Sequence, residues 1–257
     1  MNSNSPLAGR GVVITRPAGE AQRLVALVRE AGGEPLLYPA IEILDAADPR
    51  RLDAVIERLD DFDLAIFVSP SAVDKAMTRI SAQRTLPAKL RCAAIGPGGV
   101  RALQRFGIAE VIVPQGRYDS ESLLASSYLQ NVRGLRIVIF HGDGGRDLLR
   151  ETLAARGAGV EYAVCYRRAK PAWAAHALMQ AWEGNRIAAV IVTSSEGLRN
   201  FCDLIGAAGQ LWLRKTLIVV PHHRIAASAR ELGMTRIVEA EAGDEALVRT
   251  LLRQVSV

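Results

Sequence analysis

Several features that would point to other classes of protein are scarce or absent in this sequence. Aromatic residues make up 5% of the 257 positions, and three cysteines are present. The longest apolar runs are far shorter than the roughly 20 residues that a helix needs to cross a bilayer. The N-terminal Met-Asn-Ser-Asn-Ser-Pro has neither the basic start nor the apolar core of an export signal. We therefore expect a cytoplasmic protein without a membrane partner.

Sequence signatures of cofactor, metal and nucleophile sites are also missing. Cys92, Cys165 and Cys202 stand in apolar patterns without metal-ligand spacing, which predicts buried reduced thiols. Neither a Walker sequence nor a Gly-x-Ser-x-Gly turn is present, and Arg101 replaces the third glycine that a dinucleotide-binding loop would need. His222 and His223 are adjacent, so they would not share a helix face as metal ligands usually do. We expect neither a cofactor nor a metal.

The charge balance favours a small anionic partner. The formal net charge is +5 and the pI is near 9.4. Nucleic-acid binding would need basic residues crowded on one element with interleaved aromatics, whereas the arginines here are scattered. We expect no nucleic-acid partner and a basic cleft for a small polyanion.

The sequence contains an internal repeat. Gly9–Ile14 is echoed by Gly134–Ile139, and Leu64–Ser69 by Ala189–Ser194, each 125 residues further along. Short apolar runs without alternation follow one another through both copies, separated by amphipathic segments, as in parallel sheets covered on both faces. The pattern predicts an α/β protein with two similar doubly wound, flavodoxin-like lobes and a ligand cleft between them.

How the chain is shared between the lobes is left open by the repeat. Each copy has an extended segment containing tyrosine, at Glu34–Pro39 and at Val160–Arg168. These segments would be ordinary interior strands if each copy folded on itself. They would bridge the two lobes if the chain crossed over.

Small, hydroxylic and basic residues follow the predicted strands. Backbone amides at helix N-termini, together with such residues, make anion sites in parallel α/β sheets. The candidate positions are Thr15, Arg16, Ser69, Ser71, Gly96, Pro97, Gly98, Gly99, His141, Gly142, Asp143, Arg146, Thr193, Ser194, Ser195, Glu196, His222, His223 and Arg224. Ser69, Ser71 and Ser194 would equally serve as helix N-caps without a ligand, and Gly142–Gly145 as a tight turn.

These loops resemble those of the uroporphyrinogen-III synthase family along essentially the whole chain. The resemblance includes Thr15-Arg16-Pro17, Ala94–Pro97, Val164–Arg168, Thr193–Gly197 and Pro221–Ala226, in this order. The chain departs from the family at Gly98-Gly99, where a threonine often follows the Gly-Pro pair, so a hydroxyl contact would be replaced by backbone amides.

The resemblance implies two lobes joined by a two-stranded β-ladder, with one lobe discontinuous. Residues 1–37 and 168–257 would form the first lobe and residues 39–163 the second. The ladder would pair linker strands at about 35–41 and 160–167.

The resemblance also implies the reaction. The enzyme would close hydroxymethylbilane, a linear tetrapyrrole with eight carboxylates, into uroporphyrinogen III with loss of water and inversion of the terminal ring. Tyr166 matches the tyrosine of the family between the lobes and is the expected catalytic residue, since a phenol can hydrogen-bond or protonate a leaving hydroxyl. The alternative is a tyrosine that packs the ladder with its hydroxyl tethered. Arg16, Arg146 and Arg224 are the expected carboxylate partners.

Two other classes of function compete with this interpretation. A non-catalytic sensor or binding protein for an anionic metabolite could use the same two lobes, but no residues remain for an output element. A nucleotide-sugar transferase is disfavoured by the small lobes and the missing acidic site. We expect a monomeric lyase.

Overall fold

The structure is a computed structural model that describes residues 6–116, 118–144 and 147–255. Strands and helices alternate along the chain. The strands are β1 Gly11–Ile14, β2 Glu34–Leu37, β3 Glu42–Asp45, β4 Leu64–Phe67, β5 Arg91–Ala94, β6 Val111–Ile112, β7 Arg136–Gly142, β8 Gly159–Ala169, β9 Ile187–Ile191, β10 Leu217–Val220 and β11 Ile237–Glu239. The helices are α1 Gln22–Glu30, α2 Pro49–Glu57, α3 Pro70–Gln83, α4 Pro97–Arg105, α5 Ser120–Ala125, α6 Ser127–Gln130, α7 Leu148–Ala155, α8 His176–Glu183, α9 Ser195–Leu213, α10 His223–Glu231 and α11 Asp244–Val255.

The chain forms two compact units. Unit 1 comprises Met1–Glu42 and Ala169–Val257, and unit 2 comprises Ile43–Arg168. Unit 1 contains a sheet in the order β11-β10-β9-β1-β2, and unit 2 contains a sheet in the order β3-β8-β7-β4-β5-β6. The paired strands whose register is defined run parallel, which confirms the predicted α/β class.

Both sheets are covered by apolar residues on both faces. In unit 1, Val13 and Val190 pack under α8–α10, while Val12 and Ile191 pack under α1 and α11. In unit 2, the fully buried rings of Phe67 and Phe140 stack at 4.9 Å between their centroids. Such two-sided burial explains why the strands read as continuous apolar runs rather than alternating ones.

The two copies of the repeat exchange their first strands. Val12 lies opposite Ala189 in unit 1, and Leu64 lies opposite Ile137 in unit 2. These are the same pairing displaced by 125 residues in each partner. Strands β1 and β2 therefore complete the sheet begun by the second copy, whereas β7 and β8 complete the sheet of the first. After β4 and β9 the corresponding elements of the two copies lie 126 residues apart rather than 125. For example, α4 begins at Pro97 and α10 begins at His223.

The predicted pairing of the linker strands is wrong in its residues. Pro35 to Leu37 lie in β2, which pairs in parallel with β1 at the edge of the unit 1 sheet. Proline is tolerated at such an edge because only one side of the strand is hydrogen-bonded. The strand beside β8 is instead β3, whose Glu-Ile-Leu-Asp sequence is too short and too acidic at its ends to stand out as a strand.

Candidate functional site

Helix N-termini follow the strands of unit 2 at the carboxyl edge of its sheet. Ser69 caps α3 by accepting a 3.0 Å hydrogen bond from the amide of Ala72, and Pro70 occupies the first helical position. Ser71 is buried in the first turn. A helix N-terminus leaves up to four N–H groups without intrahelical partners, and the cap satisfies one of them. The predicted capping role of Ser69 is therefore confirmed.

The loop after β5 is built for close packing. Gly96 precedes α4, which begins at Pro97, and no side chain caps this helix. A Cβ atom on Gly98 would lie 2.9 Å from Cγ of Pro70, and one on Gly99 would lie 3.0 Å from Cβ of Ala94. A side chain at position 98 would therefore crowd the ring of Pro70 at the start of α3.

Tyr166 is fully buried beneath the same edge. Its side chain is 1% exposed, and its hydroxyl lies 3.0 Å from Oγ of Ser69. Nη2 of Arg168 donates to the same hydroxyl at 3.4 Å, and the guanidinium carbon lies 5.7 Å from the centre of the ring. The tyrosine thus links β8 to the N-terminus of α3.

A shift in strand register brings Tyr166 against Gly142. His141 lies opposite Val164, but Gly142 lies opposite Tyr166, so one residue of β8 is skipped. A Cβ atom on Gly142 would lie 2.5 Å from the tyrosine ring. Position 142 therefore requires glycine because the ring occupies the space of a side chain.

Asp143 and His141 contact their own unit. The backbone N–H of Asp143 donates to the Tyr166 carbonyl at 2.8 Å, and Oδ1 accepts from the Arg168 amide at 2.9 Å. The His141 ring packs on Tyr162, with 4.3 Å between ring centres, and its buried Nε2 has no hydrogen-bond partner among the described residues. Burial lowers the pKa of His141, although hydrogen bonds with the backbone of Gly144 and Gly142 partly oppose this effect. Gly145 and Arg146, predicted in this loop, lie outside the described residues.

In unit 1, the residues after β1 contact the protein rather than facing solvent freely. The buried Thr15 hydroxyl donates to the carbonyl of Ile191 at 3.0 Å. Nη1 of Arg16 donates to Oδ1 of Asp244 at 2.8 Å, and the carboxylate side chain is 8% exposed. Arg16 therefore has a partner within the chain that the sequence did not reveal.

The loops after β9 and β10 bring the remaining unit 1 candidates together. Ser194 caps α9 by accepting from the Gly197 amide at 2.9 Å, and Nδ1 of His222 caps α10 by accepting from the Arg224 amide at 3.1 Å. Oγ of Ser228 donates to Oγ of Ser195 at 3.1 Å, which joins the second turn of α10 to the first turn of α9. The candidates around these caps are partly or fully exposed: Thr193, Glu196, His223 and Arg224.

A cavity of about 870 Å³ in unit 2 is lined by residues at the opposite end of β5, including Arg91 and Cys92. It also takes in Val113 and Gln115, which follow β6. The described residues contain no cluster of three or more potential metal ligands, and none of their helices is long and apolar enough to span a bilayer. The three cysteines are free and buried, and burial raises the pKa of Cys165 to about 12.

Comparisons with known proteins agree on one family. The sequence model described as Uroporphyrinogen-III synthase HemD matches residues 22–249. The uroporphyrinogen-III synthases of Escherichia coli K12 and Salmonella typhimurium are each 33% identical to this chain over 243 residues, which cover 93% of it and 99% of the relative.

Solved structures share the fold. A mutant uroporphyrinogen III synthase from the extremely thermophilic bacterium Thermus thermophilus matches with a TM-score of 0.61 and 20% identity, covering 96% of this chain and 99% of that one. The uroporphyrinogen-III synthetase of Helicobacter pylori 26695 gives 0.58 and 14%, covering 95% and 99%. Because the family model matches residues 22–249 and the Escherichia coli and Salmonella typhimurium relatives are 33% identical over 93% of the chain, this chain belongs to the uroporphyrinogen-III synthase family, whose members are cyclising lyases of tetrapyrrole biosynthesis.

Proposed function

We propose that this chain converts hydroxymethylbilane to uroporphyrinogen III and that its two units are the lobes that bind the substrate. The observation that carries the proposal is the set of capped helix N-termini after β4, β9 and β10, in a chain that belongs to this family. Such N-termini present amide donors and a partial positive charge, which suits the eight carboxylates of the bilane.

Arg224 and Arg16 would contribute unequally to binding the carboxylates of the substrate. Arg224 lies exposed in the first turn of α10, where its guanidinium can bind a carboxylate in bidentate fashion. Arg16 already donates to Asp244, so any carboxylate bound there would share a guanidinium that is partly used. We propose that backbone amides and hydroxyls carry more of the recognition than arginine pairs do.

The chemistry we propose needs neither metal nor organic cofactor. The hydroxyl of the hydroxymethyl group takes up a proton and leaves as water, while its methylene carbon stays on the ring as an azafulvene. The substituted carbon of the terminal ring attacks this methylene carbon, and the resulting spiro intermediate rearranges with inversion of the terminal ring. Holding the two ends of the bilane in reacting geometry can supply on the order of 7–11 kcal/mol in favourable cases. Tyr166 would assist departure of the hydroxymethyl oxygen, since it lies at the edge where α3 begins.

We also propose a cytoplasmic monomer. The free, buried thiols of Cys92, Cys165 and Cys202 suit a reducing compartment. Light scattering at working concentrations would give the mass of one chain under this proposal, and the mass of a dimer would contradict it.

The test of the proposed function supplies hydroxymethylbilane and separates the product isomers after oxidation. We expect type III product from protein dialysed against a chelator, at the same rate as from untreated protein. Formation of type I isomer alone, at the rate seen in buffer, would refute the activity. Loss of type III product after dialysis, restored by a metal, would refute the absence of a metal.

A further inference from the structure

The burial of Tyr166 limits what its hydroxyl can touch. The side chain is 1% exposed, and its oxygen already has two partners within hydrogen-bond distance, Ser69 and Arg168. Ser69, by contrast, is only partly buried. Of these two hydroxyls, that of Ser69 is the one that a bound molecule can reach.

The directions of the hydrogen bonds follow from the donors present. Arginine can only donate, so the Tyr166 oxygen accepts from Arg168. If Ser69 donated to Tyr166, the phenolic hydrogen would be left without a partner in a buried place, which is costly. Tyr166 therefore donates to Ser69, whose oxygen also accepts from the Ala72 amide. Both acceptor positions of Ser69 are then used, and, as far as the described residues go, its own hydrogen is left for a bound molecule.

We propose that the Ser69 hydroxyl is the group that donates to the leaving oxygen of the substrate, and that Tyr166 and Arg168 are positioning residues that act through it. Two donated hydrogen bonds fix the orientation of the Ser69 oxygen and make its hydrogen more acidic, because hydrogen bonds in a chain polarise one another. This inference rests on the proposed function and changes which side chain meets the substrate.

The repeat supplies an internal comparison. Ser194 stands 125 residues after Ser69 and caps α9 in the same way, but the position that corresponds to Tyr166 is Ile41. Cδ1 of Ile41 lies 3.9 Å from the Cβ position of Gly197, at the start of α9. An apolar side chain thus replaces the phenol beside the second serine cap. Since a cap alone needs no phenol, the link from Arg168 to Ser69 is a feature that unit 2 has in addition to its cap.

A double-mutant cycle tests the inference on the whole enzyme. We expect Ser69→Ala to lower kcat about 30-fold, Tyr166→Phe about 10-fold, and the double variant about 30-fold, with KM changed less than about threefold. Ser69→Thr keeps a hydroxyl and a cap and should restore most of kcat. Ser69→Gly, a tolerated cap without a hydroxyl, should behave like Ser69→Ala and replaces it if that variant does not fold.

Asp48→Ala removes an N-cap of α2 elsewhere in unit 2 and should leave kcat unchanged, which separates capping from chemistry. A loss of about 300-fold in the double variant, the product of the single losses, would overturn the inference by showing that Tyr166 acts on the substrate independently. Unchanged kcat in Ser69→Ala would overturn it as well. Wild-type protein that yields no type III isomer would instead refute the proposed function itself, before any variant is compared.

Discussion

At the scale of single residues, Gly142 and Tyr166 show how the carboxyl edge of unit 2 is shaped. The skipped residue in β8 turns the tyrosine ring onto the Gly142 backbone, and the Asp143 amide then donates to the Tyr166 carbonyl. Bulged strands of this kind re-aim side chains near functional sites. The position of the tyrosine hydroxyl beside Ser69 therefore depends on the absence of a side chain at position 142.

The first prediction concerns this contact. Gly142→Ala places a methyl group 2.5 Å from the tyrosine ring, and overpacking of this kind costs about 1–3 kcal/mol of the free energy of unfolding. Gly159→Ala in β8 is the matched control, since a Cβ there meets nothing closer than 3.9 Å. Urea unfolding should show the loss in the first variant only. Equal stabilities would contradict the packing described here.

The second prediction uses the titration of His141. Burial lowers its pKa from the ordinary value of 6.5, so the folded protein favours the neutral ring. The unfolded chain then binds more protons as the pH falls, and stability is lost below about pH 6.5. His141→Gln should flatten this loss in thermal unfolding between about pH 8 and pH 5.

The exposed His176 provides the control for that titration. His176→Gln should leave the pH dependence of the wild type in place. Identical pH profiles for wild type and His141→Gln would contradict a role of His141 in acid stability.

At the scale of elements, an ion pair connects α11 to the loop after β1. Asp244 opens the helix, and its buried carboxylate accepts from Arg16 at 2.8 Å. Apolar residues of the same helix, Leu247 and Leu251, pack with the core beneath α1. The ion pair thus connects one end of the final helix to the carboxyl edge of the unit 1 sheet.

The third prediction is that Asp244→Asn destabilises the protein by about 1.5–3 kcal/mol, the usual worth of a hydrogen bond to a charged group that is largely desolvated. Glu241→Gln is the control, because its pairing with Arg249 is exposed and should contribute less than about 1 kcal/mol. Denaturant titrations of both variants give the difference. Comparable losses would mean that the Arg16 pair is no stronger than a surface pair.

Some of these elements and contacts could be predicted from the sequence and others could not, for physical reasons. Strands buried on both faces are visible as apolar runs, and β4, β9 and β10 coincide with such runs. Ser69 and Ser194 were readable as caps because capping is local. The Arg16–Asp244 pair joins residues 228 positions apart, and β3 has only two apolar residues, so neither leaves a local pattern.

At the scale of the whole molecule, the duplication and the exchange of strands together define the fold. Each sheet takes its strands from both copies, with the registers β1–β9 and β7–β4 related by the same displacement. The repeat alone left this exchange open, because a repeat describes similarity and not contact. The family resemblance implied the exchange, and the strand pairs show it. The two copies have since diverged at their edges, where Tyr166 corresponds to Ile41.

The central claim for the whole molecule concerns the direction of ring closure. Hydroxymethylbilane closes spontaneously to the type I isomer. The enzymatic reaction and the spontaneous reaction therefore compete for the same substrate. The decisive measurement titrates the protein against a fixed amount of bilane and quantifies both isomers. We predict that the ratio of type III to type I rises in proportion to protein concentration, with heat-denatured protein giving type I alone. A ratio that stays at the buffer value at every protein concentration would contradict the claim.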